Sequence, residues 1–297
     1  MIEQKTAFIA IVGCPNVGKS SILNHLLGEK IAIVSNKPQT TRTRIMGVLT
    51  RNEIQLVFTD TPGYHKPKNK LGEKMIKAVG EGIRDVDACL FVVEPKGEIK
   101  EAELTLIKKF KKDNLPVVLA INKIDTVQNK EDILSRILEF SQLYDFEAIV
   151  PVSAIDGNGL GDLLGELEKL SFPSQHLFPD DTLTDQPEKV IAAEYIREKI
   201  LRYLDKEIPH GTAVAIEFFR ERETGDILDI DATIYCEKES HKGIIIGKGG
   251  DMLKKISTGA RIEMERFFDC KVNLKCWVKV KEDWRNREGL IHNFGLD

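Results

Sequence analysis

A glycine-rich loop of the form G-x-x-x-x-G-K-S occupies residues 13–20, which read Gly-Cys-Pro-Asn-Val-Gly-Lys-Ser. The apolar, β-branched run over residues 6–12 predicts a buried strand before this loop. A helical pattern over residues 19–27 follows it and stops at Gly28. A strand, a glycine loop and a helix in this order form a phosphate cradle, because loop N–H groups and the helix N-terminus attract phosphate oxygens. The feature constrains the chain to an α/β fold that binds a phosphorylated ligand.

The lysine and the serine that end this loop have defined tasks in such a site. Lys19 would bind the β- and γ-phosphates of a nucleoside triphosphate, and Ser20 would be a ligand of Mg²⁺. A chance match in a glycine-rich turn is the alternative, and the correct order of elements around the loop argues against it. The predicted nucleotide contacts here are Gly13, Cys14, Pro15, Asn16, Val17, Gly18, Lys19, Ser20 and Ser21.

A second motif, Asp60-Thr61-Pro62-Gly63, follows a predicted strand over residues 53–59. That strand delivers Asp60 to the carboxyl end of the sheet, where ligands bind in open α/β folds. Asp60 suits the shell of Mg²⁺, through a water, because Mg²⁺ keeps several of its waters. The Gly63 N–H would contact the γ-phosphate. All four residues are therefore predicted nucleotide contacts.

A third motif reads Asn122-Lys-Ile-Asp125 and follows a predicted strand over residues 116–121. The Asp125 carboxylate can accept two hydrogen bonds, from N1–H and N2–H₂ of guanine. Adenine lacks this pair of donors, and sites built on such polar contacts reject the wrong partner strongly. Asn122 would brace the loops and reach N7, while the stem of Lys123 would lie over the base plane. The predicted ligand is therefore GTP or GDP.

The base end of the predicted site is completed by Ser153 and Ala154. They follow a further strand pattern over residues 148–152. The Ala154 N–H is placed to donate to O6 of guanine.

A basic, threonine-containing segment over residues 37–44 lies between the first two motifs. A threonine in this position completes the Mg²⁺ ligand set only while the γ-phosphate is present. We favour Thr41 over Thr40, from its resemblance to translation-type GTPases with a Thr-Arg or Thr-Val pair here. A solvated basic loop is the alternative.

Length and composition bound the remaining possibilities. The chain of 297 residues, 42% apolar and 30% charged, suggests a globular protein of two domains. No apolar run approaches the ~20 residues of a membrane helix, and we expect no signal peptide. The five cysteines show no C-x-x-C spacing, so the sequence implies neither a zinc site nor a disulfide framework, which fits a reducing cytosol.

Strand and helix patterns alternate up to residue 171 and predict a P-loop GTPase domain with a mostly parallel sheet and helices on both faces. Residues 172–187 contain three prolines and several turn formers, which predicts a linker. Residues 188–297 follow the order α-β-β-α-α-β. We therefore predict three parts, with boundaries at 1–171, 172–187 and 188–297.

A second glycine loop, Gly247-Lys-Gly-Gly250, lies in the last part of the chain. It fits the G-x-x-G loop of KH domains, which clamps the backbone of about four nucleotides. Residues 238–281 contain 11 Lys and Arg against 5 Asp and Glu, a basic face in a chain of net charge −4. A dinucleotide-type turn or a plain helix cap is the alternative. The predicted RNA contacts are Lys242, Ile246, Gly247, Lys248, Gly249, Gly250 and Lys254.

With these motifs in order, the chain resembles the Era family, bacterial-type GTPases with a C-terminal type II KH domain. The most family-specific stretch is residues 64–71, Tyr-His-Lys-Pro-Lys-Asn-Lys-Leu. The resemblance implies GTP hydrolysis coupled to binding of the single-stranded 3′ end of small-subunit (16S-type) ribosomal RNA during assembly of the 30S subunit. It also implies a cytoplasmic monomer with a peripheral contact to the inner membrane, for which the residues offer no physical support.

The sequence leaves open which group orients the attacking water. Ras-like enzymes orient the attacking water with a glutamine after the glycine of the second motif, where this chain has Tyr64. GTPases with a Pro-Asn-Val-Gly-Lys-Ser loop include members that bind K⁺ through the asparagine, here Asn16. We weigh a K⁺ site evenly against a capping role for Asn16. The residues predicted to act on the reaction are Lys19, Thr41, Gly63 and Asn16, with Mg²⁺ held by Ser20, Thr41 and Asp60.

One further interpretation of the whole chain competes with this one. The protein would then be a GTP-dependent regulatory switch that binds a protein partner and uses the KH fold as a docking module. RNA contact predicts a steep loss of affinity with salt, which separates the two.

Overall fold

The computed structural model describes residues 3–64, 67, 69–84, 86–223 and 225–296. The chain divides into two compact units. The bounds of unit 1 are Met1–Ala32, Thr41–Lys66 and Met75–Asp185, and those of unit 2 are Ile33–Thr40, Pro67–Lys74 and Gln186–Asp297. Most of the stretch predicted as a linker, residues 172–185, is grouped with unit 1. The family-specific run predicted over 64–71 includes His65, Lys66 and Lys68, which lie outside the described residues.

The first part of the chain alternates strands and helices. In chain order the elements are β1 (Lys5–Gly13), α1 (Lys19–Leu27), β2 (Ile45–Arg51), β3 (Ile54–Asp60), α2 (Lys70–Gly82), β4 (Ala88–Val93), α3 (Glu101–Asp113), β5 (Val117–Asn122), α4 (Lys130–Ser141), β6 (Ala148–Val152), α5 (Leu160–Glu168) and β7 (Phe172–Pro173).

The sheet of unit 1 has the order β2-β3-β1-β4-β5-β6, and β7 pairs antiparallel with the start of β1. Strands β3, β1, β4, β5 and β6 are mutually parallel. Strand β2 forms an antiparallel hairpin with β3, which the two strand patterns over 44–51 and 53–59, separated by one polar residue, predict. Because parallel strands end at the same edge, the last residues of β1, β3, β5 and β6 lie along one side of the sheet. The three nucleotide motifs begin at this edge.

The central strands of unit 1, β4 and β5, are buried along their whole length. Residues 9–12 of β1 are fully buried, as are all six residues of β4. Continuous burial is what a parallel sheet with helices on both faces requires. On one face the Phe91 ring packs edge-on against Phe110 and Phe140, with ring centroids 5.5 Å and 6.0 Å apart. This core holds the strand ends in fixed positions.

Residues 172–185 pack along the edge of the unit 1 sheet. The Val48 N–H of edge strand β2 donates to Leu183 O over 2.9 Å. The fully buried Gln55 of β3 accepts from the N–H groups of Leu177 and Phe178 and donates to Phe178 O. An edge strand leaves backbone groups unpaired, and this segment satisfies part of them.

Unit 2 contains the order α-β-β-α-α-β that the sequence predicts, followed by a further short helix. Its elements are α6 (Glu188–Tyr203), β8 (Ala213–Glu221), β9 (Ile227–Cys236), α7 (Glu239–Ile246), α8 (Asp251–Phe267), β10 (Lys271–Val280) and α9 (Glu288–Asn293). The strands form one sheet of order β10-β9-β8, with β10 parallel and β8 antiparallel to β9. Helices α6 and α8 pack on one face of this sheet.

The core of unit 2 corrects one sequence-based interpretation. The helical apolar residues Met252, Leu253, Ile256, Ile262, Met264 and Phe267 are expected in the core from their spacing. Ile256 and Met264 are fully buried, and Ala260 is buried between them. Ile262 is 40% exposed. A helix turns about 100° per residue, so a residue two positions from Ala260 faces away from the buried side.

The segment Ile33–Thr40 forms part of unit 2 and is anchored there by α6. Ile33 is buried in the core cluster of unit 2, and the Val34 N–H donates to the fully buried Glu198 carboxylate. The guanidinium of Arg197, 2% exposed, donates to the carbonyls of Gln39 and Thr40. Buried charged groups are retained where they are paired and hydrogen-bonded.

Candidate functional site

The loop of residues 13–20 connects β1 to α1 and leaves no room for side chains at its two glycines. A Cβ on Gly13, whose φ is 151°, would lie 2.3 Å from Val92 O. A Cβ on Gly18, whose φ is 99°, would lie 2.1 Å from Nδ2 of Asn122. Both positions combine a backbone conformation that favours glycine with a close neighbour. The loop is therefore packed against β4 and against the third motif.

The side chain of Lys19 is folded over this loop. Its ammonium donates to Cys14 O at 3.1 Å and Gly13 O at 3.4 Å, and the residue is 6% exposed. Burial lowers the pKa of Lys19, while the Asp60 carboxylate acts in the opposite sense. The loop thus holds a buried cation where the phosphates are predicted to lie.

Three oxygen-bearing side chains from three segments of unit 1 meet beside the lysine. Ser20 Oγ donates to Asp60 Oδ2 at 2.5 Å, and Thr41 Oγ1 lies 3.0 Å from Ser20 Oγ and 3.3 Å from the same carboxylate oxygen. Thr40 is turned away, because its hydroxyl donates to Lys37 O at 2.6 Å. The structure brings together Thr41 and not Thr40 with the other predicted Mg²⁺ ligands.

This cluster fits a hard divalent cation. Oxygen donors from hydroxyl and carboxylate groups are what Mg²⁺ prefers. The second oxygen of Asp60 is buried and has no hydrogen-bond partner within the described part of the chain. Burial raises the pKa of Asp60, opposed by the charge of Lys19 and the bonds from Ser20 and Thr41. A bound cation would supply the charge that a buried carboxylate needs.

The second motif packs directly on the phosphate loop. A Cβ on Gly63 would lie 2.6 Å from Pro15 Cα, and the Tyr64 N–H donates to Gly13 O at 3.1 Å. The Thr61 hydroxyl is bonded to Ile11 O at 2.9 Å. The ring of Tyr64 packs against the core around Phe91. Only a residue without a side chain allows Gly63 to approach the loop this closely.

The base-reading residues form a connected set. Asn122 is 2% exposed, donates from Nδ2 to Val17 O at 2.8 Å and accepts the Ala154 N–H at 3.0 Å. Ser153 Oγ donates to Asp125 Oδ1 at 2.8 Å. The Ala154 N–H, predicted to donate to guanine O6, donates to Asn122 Oδ1 in this structure. Ser153, predicted as a direct nucleotide contact, orients the exposed Asp125 carboxylate.

The structure adds a residue that the sequence analysis did not single out. Glu94 directly follows β4, and its carboxylate lies 2.7 Å from the ammonium of Lys123. A polar residue directly after a buried strand is the signal that could have found it, because Asp60 and Asn122 each close a strand at this edge.

The remaining loop residues differ in exposure. Cys14 and Val17 are buried, and burial raises the pKa of the Cys14 thiol to about 11, so the thiol stays protonated. Asn16 is exposed and has a φ of 65°. Pro15 and Ser21 are half-buried. The buried residues shape the loop, whereas Asn16 presents its side chain at the surface.

The second glycine loop joins α7 to α8 in unit 2. Gly247 has a φ of 75°, and a Cβ there would lie 2.8 Å from the Met252 side chain. A Cβ on Gly249 or Gly250 would meet no described atom within 4 Å. Lys248 and Gly249 are exposed, so the outer side of the loop is open to an approaching backbone.

The other predicted RNA contacts surround this loop. Lys254 is exposed on the first turns of α8, and Ile246 is half-buried at the end of α7. Lys242 is half-buried and lies 3.7 Å from the Glu239 carboxylate. The structure therefore brings the predicted set together at one end of α7 and α8.

Two regions of the chain match known families. Residues 8–123 match the model of the 50S ribosome-binding GTPase family, and residues 207–285 match the KH domain. The GTPase Era of Ruminiclostridium cellulolyticum is 50% identical over 294 residues, which cover 99% of this chain and 98% of the relative. The chain belongs to the Era family of GTPases. GTPase Era of Clostridioides difficile is 48% identical over 99% of both chains.

Two solved structures of Era each cover 99% of this chain. Era of Aquifex aeolicus, crystallised as a variant bound to GDP·AlF₄⁻, superposes with a TM-score of 0.95 at 37% identity and 99% coverage of both chains. Era in complex with MgGDPNP and nucleotides 1506–1542 of 16S ribosomal RNA gives 0.94 at the same identity and coverage. These matches confirm the predicted family, the P-loop and KH fold class, and the GTPase activity.

Proposed function

We propose that this Era-family GTPase binds the single-stranded 3′ end of small-subunit ribosomal RNA and acts in assembly of the 30S subunit. The observation that carries the proposal is the open loop of residues 247–250 between α7 and α8. It matches the G-x-x-G geometry of RNA-clamping domains. The related Era complex that contains a fragment of 16S ribosomal RNA supports the choice of RNA.

The nucleotide site supports a division of tasks among the residues. Lys19 and the N–H groups of the phosphate loop would bind the phosphates, and the Gly63 N–H would contact the γ-phosphate. Ser20, Thr41 and Asp60 would hold Mg²⁺, which neutralises charge on the phosphates when bound. Asp125, oriented by Ser153, would read the guanine edge.

Replacement of Lys248 and Gly249 together by Asp is expected to lower RNA affinity by about tenfold or more, or ~1.4 kcal/mol. The change places negative charge and a new Cβ where a phosphate would pass. GDP affinity should stay the same, since both residues lie outside unit 1. Filter binding with a single-stranded RNA of the ribosomal 3′-end sequence measures the effect across a salt series.

The single variant Lys248→Asp has a charge-matched control in Lys189→Asp, at an exposed lysine at the start of α6. It changes the net charge as Lys248→Asp does but should leave RNA affinity near the wild-type value. If Lys248→Asp and Lys189→Asp weaken binding equally, the glycine loop has no specific part in it. Salt-independent or absent RNA binding by the wild type would favour the regulatory switch with a protein partner.

We further propose that hydrolysis uses K⁺ at Asn16. Three observations support it: Tyr64 replaces the water-orienting glutamine, its ring packs against the core, and Asn16 is exposed on the phosphate loop. Hydrolysis should then be faster in K⁺ than in Na⁺, and Asn16→Ala should abolish the difference. Equal rates of phosphate release in the two salts at matched ionic strength would remove K⁺ from the reaction.

The place of action is also part of the proposal. Among the described residues, no helix is long and apolar enough to cross a membrane. Cys14, Cys89, Cys236, Cys270 and Cys276 are all free thiols, which supports a cytoplasmic location. Monomeric action and a peripheral contact with the membrane stay predictions that rest on the resemblance.

A further inference from the structure

We propose that Glu94 is a positioning residue for guanine recognition, which holds the Lys123 side chain extended along the face of the base. The inference rests on the residue roles proposed above for the nucleotide site and assigns a determinant of its affinity for GTP. It starts from a contact at the carboxyl edge of the sheet. Glu94 Oε1 lies 2.7 Å from Lys123 Nζ, and both side chains are 32% exposed.

The backbone of Lys123 is already fixed by its neighbours. Lys123 has a φ of 70° and directly follows Asn122, which is buried and bonded to Val17 and Ala154. The position at which the lysine side chain leaves the backbone is therefore fixed. The four-carbon stem remains flexible, and a free lysine side chain carries about 2 kcal/mol of rotamer entropy. A charge-assisted hydrogen bond at the ammonium removes this freedom before the base arrives.

Glu94 is itself held in place from two sides. Its backbone carbonyl accepts from Nε of Arg136 at 3.2 Å, and Arg136 is 3% exposed and paired with the buried Glu103. Its other carboxylate oxygen lies 3.3 Å from Nζ of Lys100. Partial burial raises the pKa of Glu94, but the bonds and charges of Lys123 and Lys100 outweigh it, so the net shift is downward. The carboxylate thus stays ionised at neutral pH.

The charges around Glu94 favour its role as a partner that positions Lys123. Because like charges repel, a carboxylate in a site for a polyanionic ligand needs a cationic partner. Glu94 has two such partners, Lys123 of the third motif and Lys100. Such a supporting contact orients a binding residue in the way that outer hydrogen bonds orient metal ligands.

The test measures steady-state GTP hydrolysis by the full-length protein and its variants. Glu94→Gln, which keeps the shape but loses the charge, should raise KM for GTP about tenfold, or ~1.4 kcal/mol, with kcat within about twofold of wild type. Glu94→Asp should give an intermediate KM. Glu98→Gln, an exposed glutamate on the same loop, should match the wild type.

A double-mutant cycle separates positioning from a merely structural role. In a Lys123→Met background, Glu94→Gln should cause no further increase in KM, because the group that it positions is gone. An equal increase in both backgrounds, or a KM unchanged by Glu94→Gln and Glu94→Asp, would overturn the inference. Failure of the proposed role of Lys123 at the base would appear separately, as a KM that Lys123→Met alone leaves unchanged.

Discussion

Asp125→Asn is expected to invert the nucleotide preference from GTP to xanthosine triphosphate. The carboxylate accepts the N1–H and N2–H₂ of guanine, whereas an asparagine offers one acceptor and one donor. Because Ser153 Oγ donates to Oδ1 of residue 125 at 2.8 Å, the asparagine keeps its oxygen toward Ser153 and turns its NH₂ toward the base. Xanthine carries a carbonyl at position 2 and accepts from that NH₂, while guanine meets a second donor.

The ratio of the two affinities should change by on the order of 10⁴, the discrimination that sites built on base or substrate hydrogen bonds achieve. Competition binding of GTP and xanthosine triphosphate against labelled GDP measures it. Asp156→Asn, an exposed carboxylate in the neighbouring loop, should leave the preference unaltered. Retained GTP preference in Asp125→Asn would show that another group reads the guanine edge.

Gly18→Ala is expected to weaken GDP binding by about 100-fold or more, or ~2.7 kcal/mol. The new Cβ would lie 2.1 Å from Asn122 Nδ2, and the φ of 99° adds strain of about 1–2 kcal/mol. Asn122 must then move, which breaks its bonds to Val17 O and to the Ala154 N–H. One methyl group would thus disturb the phosphate loop and the base-reading loop together.

Gly28→Ala is the matched control for this variant. Gly28 also has a positive φ, of 73°, but a Cβ there meets no described atom within 4 Å. It should lower the free energy of unfolding by about 1 kcal/mol and leave GDP affinity unchanged. Isothermal titration with GDP and thermal unfolding of both variants separate the effect of backbone strain from that of the steric clash with Asn122. If Gly18→Ala binds GDP as Gly28→Ala does, Asn122 does not couple the two loops.

The sequence predicts most of the nucleotide-binding unit because its strands are buried on both faces. Such strands appear as continuous apolar runs, and the three motifs mark where they end. The apolar spacing over residues 130–143 predicts a helix, and the observed α4, Lys130–Ser141, differs from it only at the end that frays. The sequence does not predict how residues 172–185 pack on the sheet. This packing depends on hydrogen bonds to Gln55, a buried polar side chain in a distant part of the chain.

The C-terminal end of unit 2 is likewise not predictable from its local sequence. Helix α9 has six residues and too little pattern to predict. Beside it, Trp284 is fully buried, and its indole N–H donates to Gly211 O at 2.9 Å. Nothing local to residue 284 indicates that partner. Contacts between residues far apart in the chain likewise explain why the Glu94–Lys123 pair and the role of Ser153 needed the structure.

Gly18 and Asn122 also restrict how sequences of this kind can be recombined. A side chain larger than glycine at position 18 fits only if residue 122 becomes smaller than asparagine, and such a residue would lose the bond to Val17 O. A chimaera that joins the N-terminal strands of one GTPase to the base-reading half of another would therefore inherit a working site only if both parents carry this pair. Positions 18 and 122 are far apart in the sequence, but they must therefore be exchanged together.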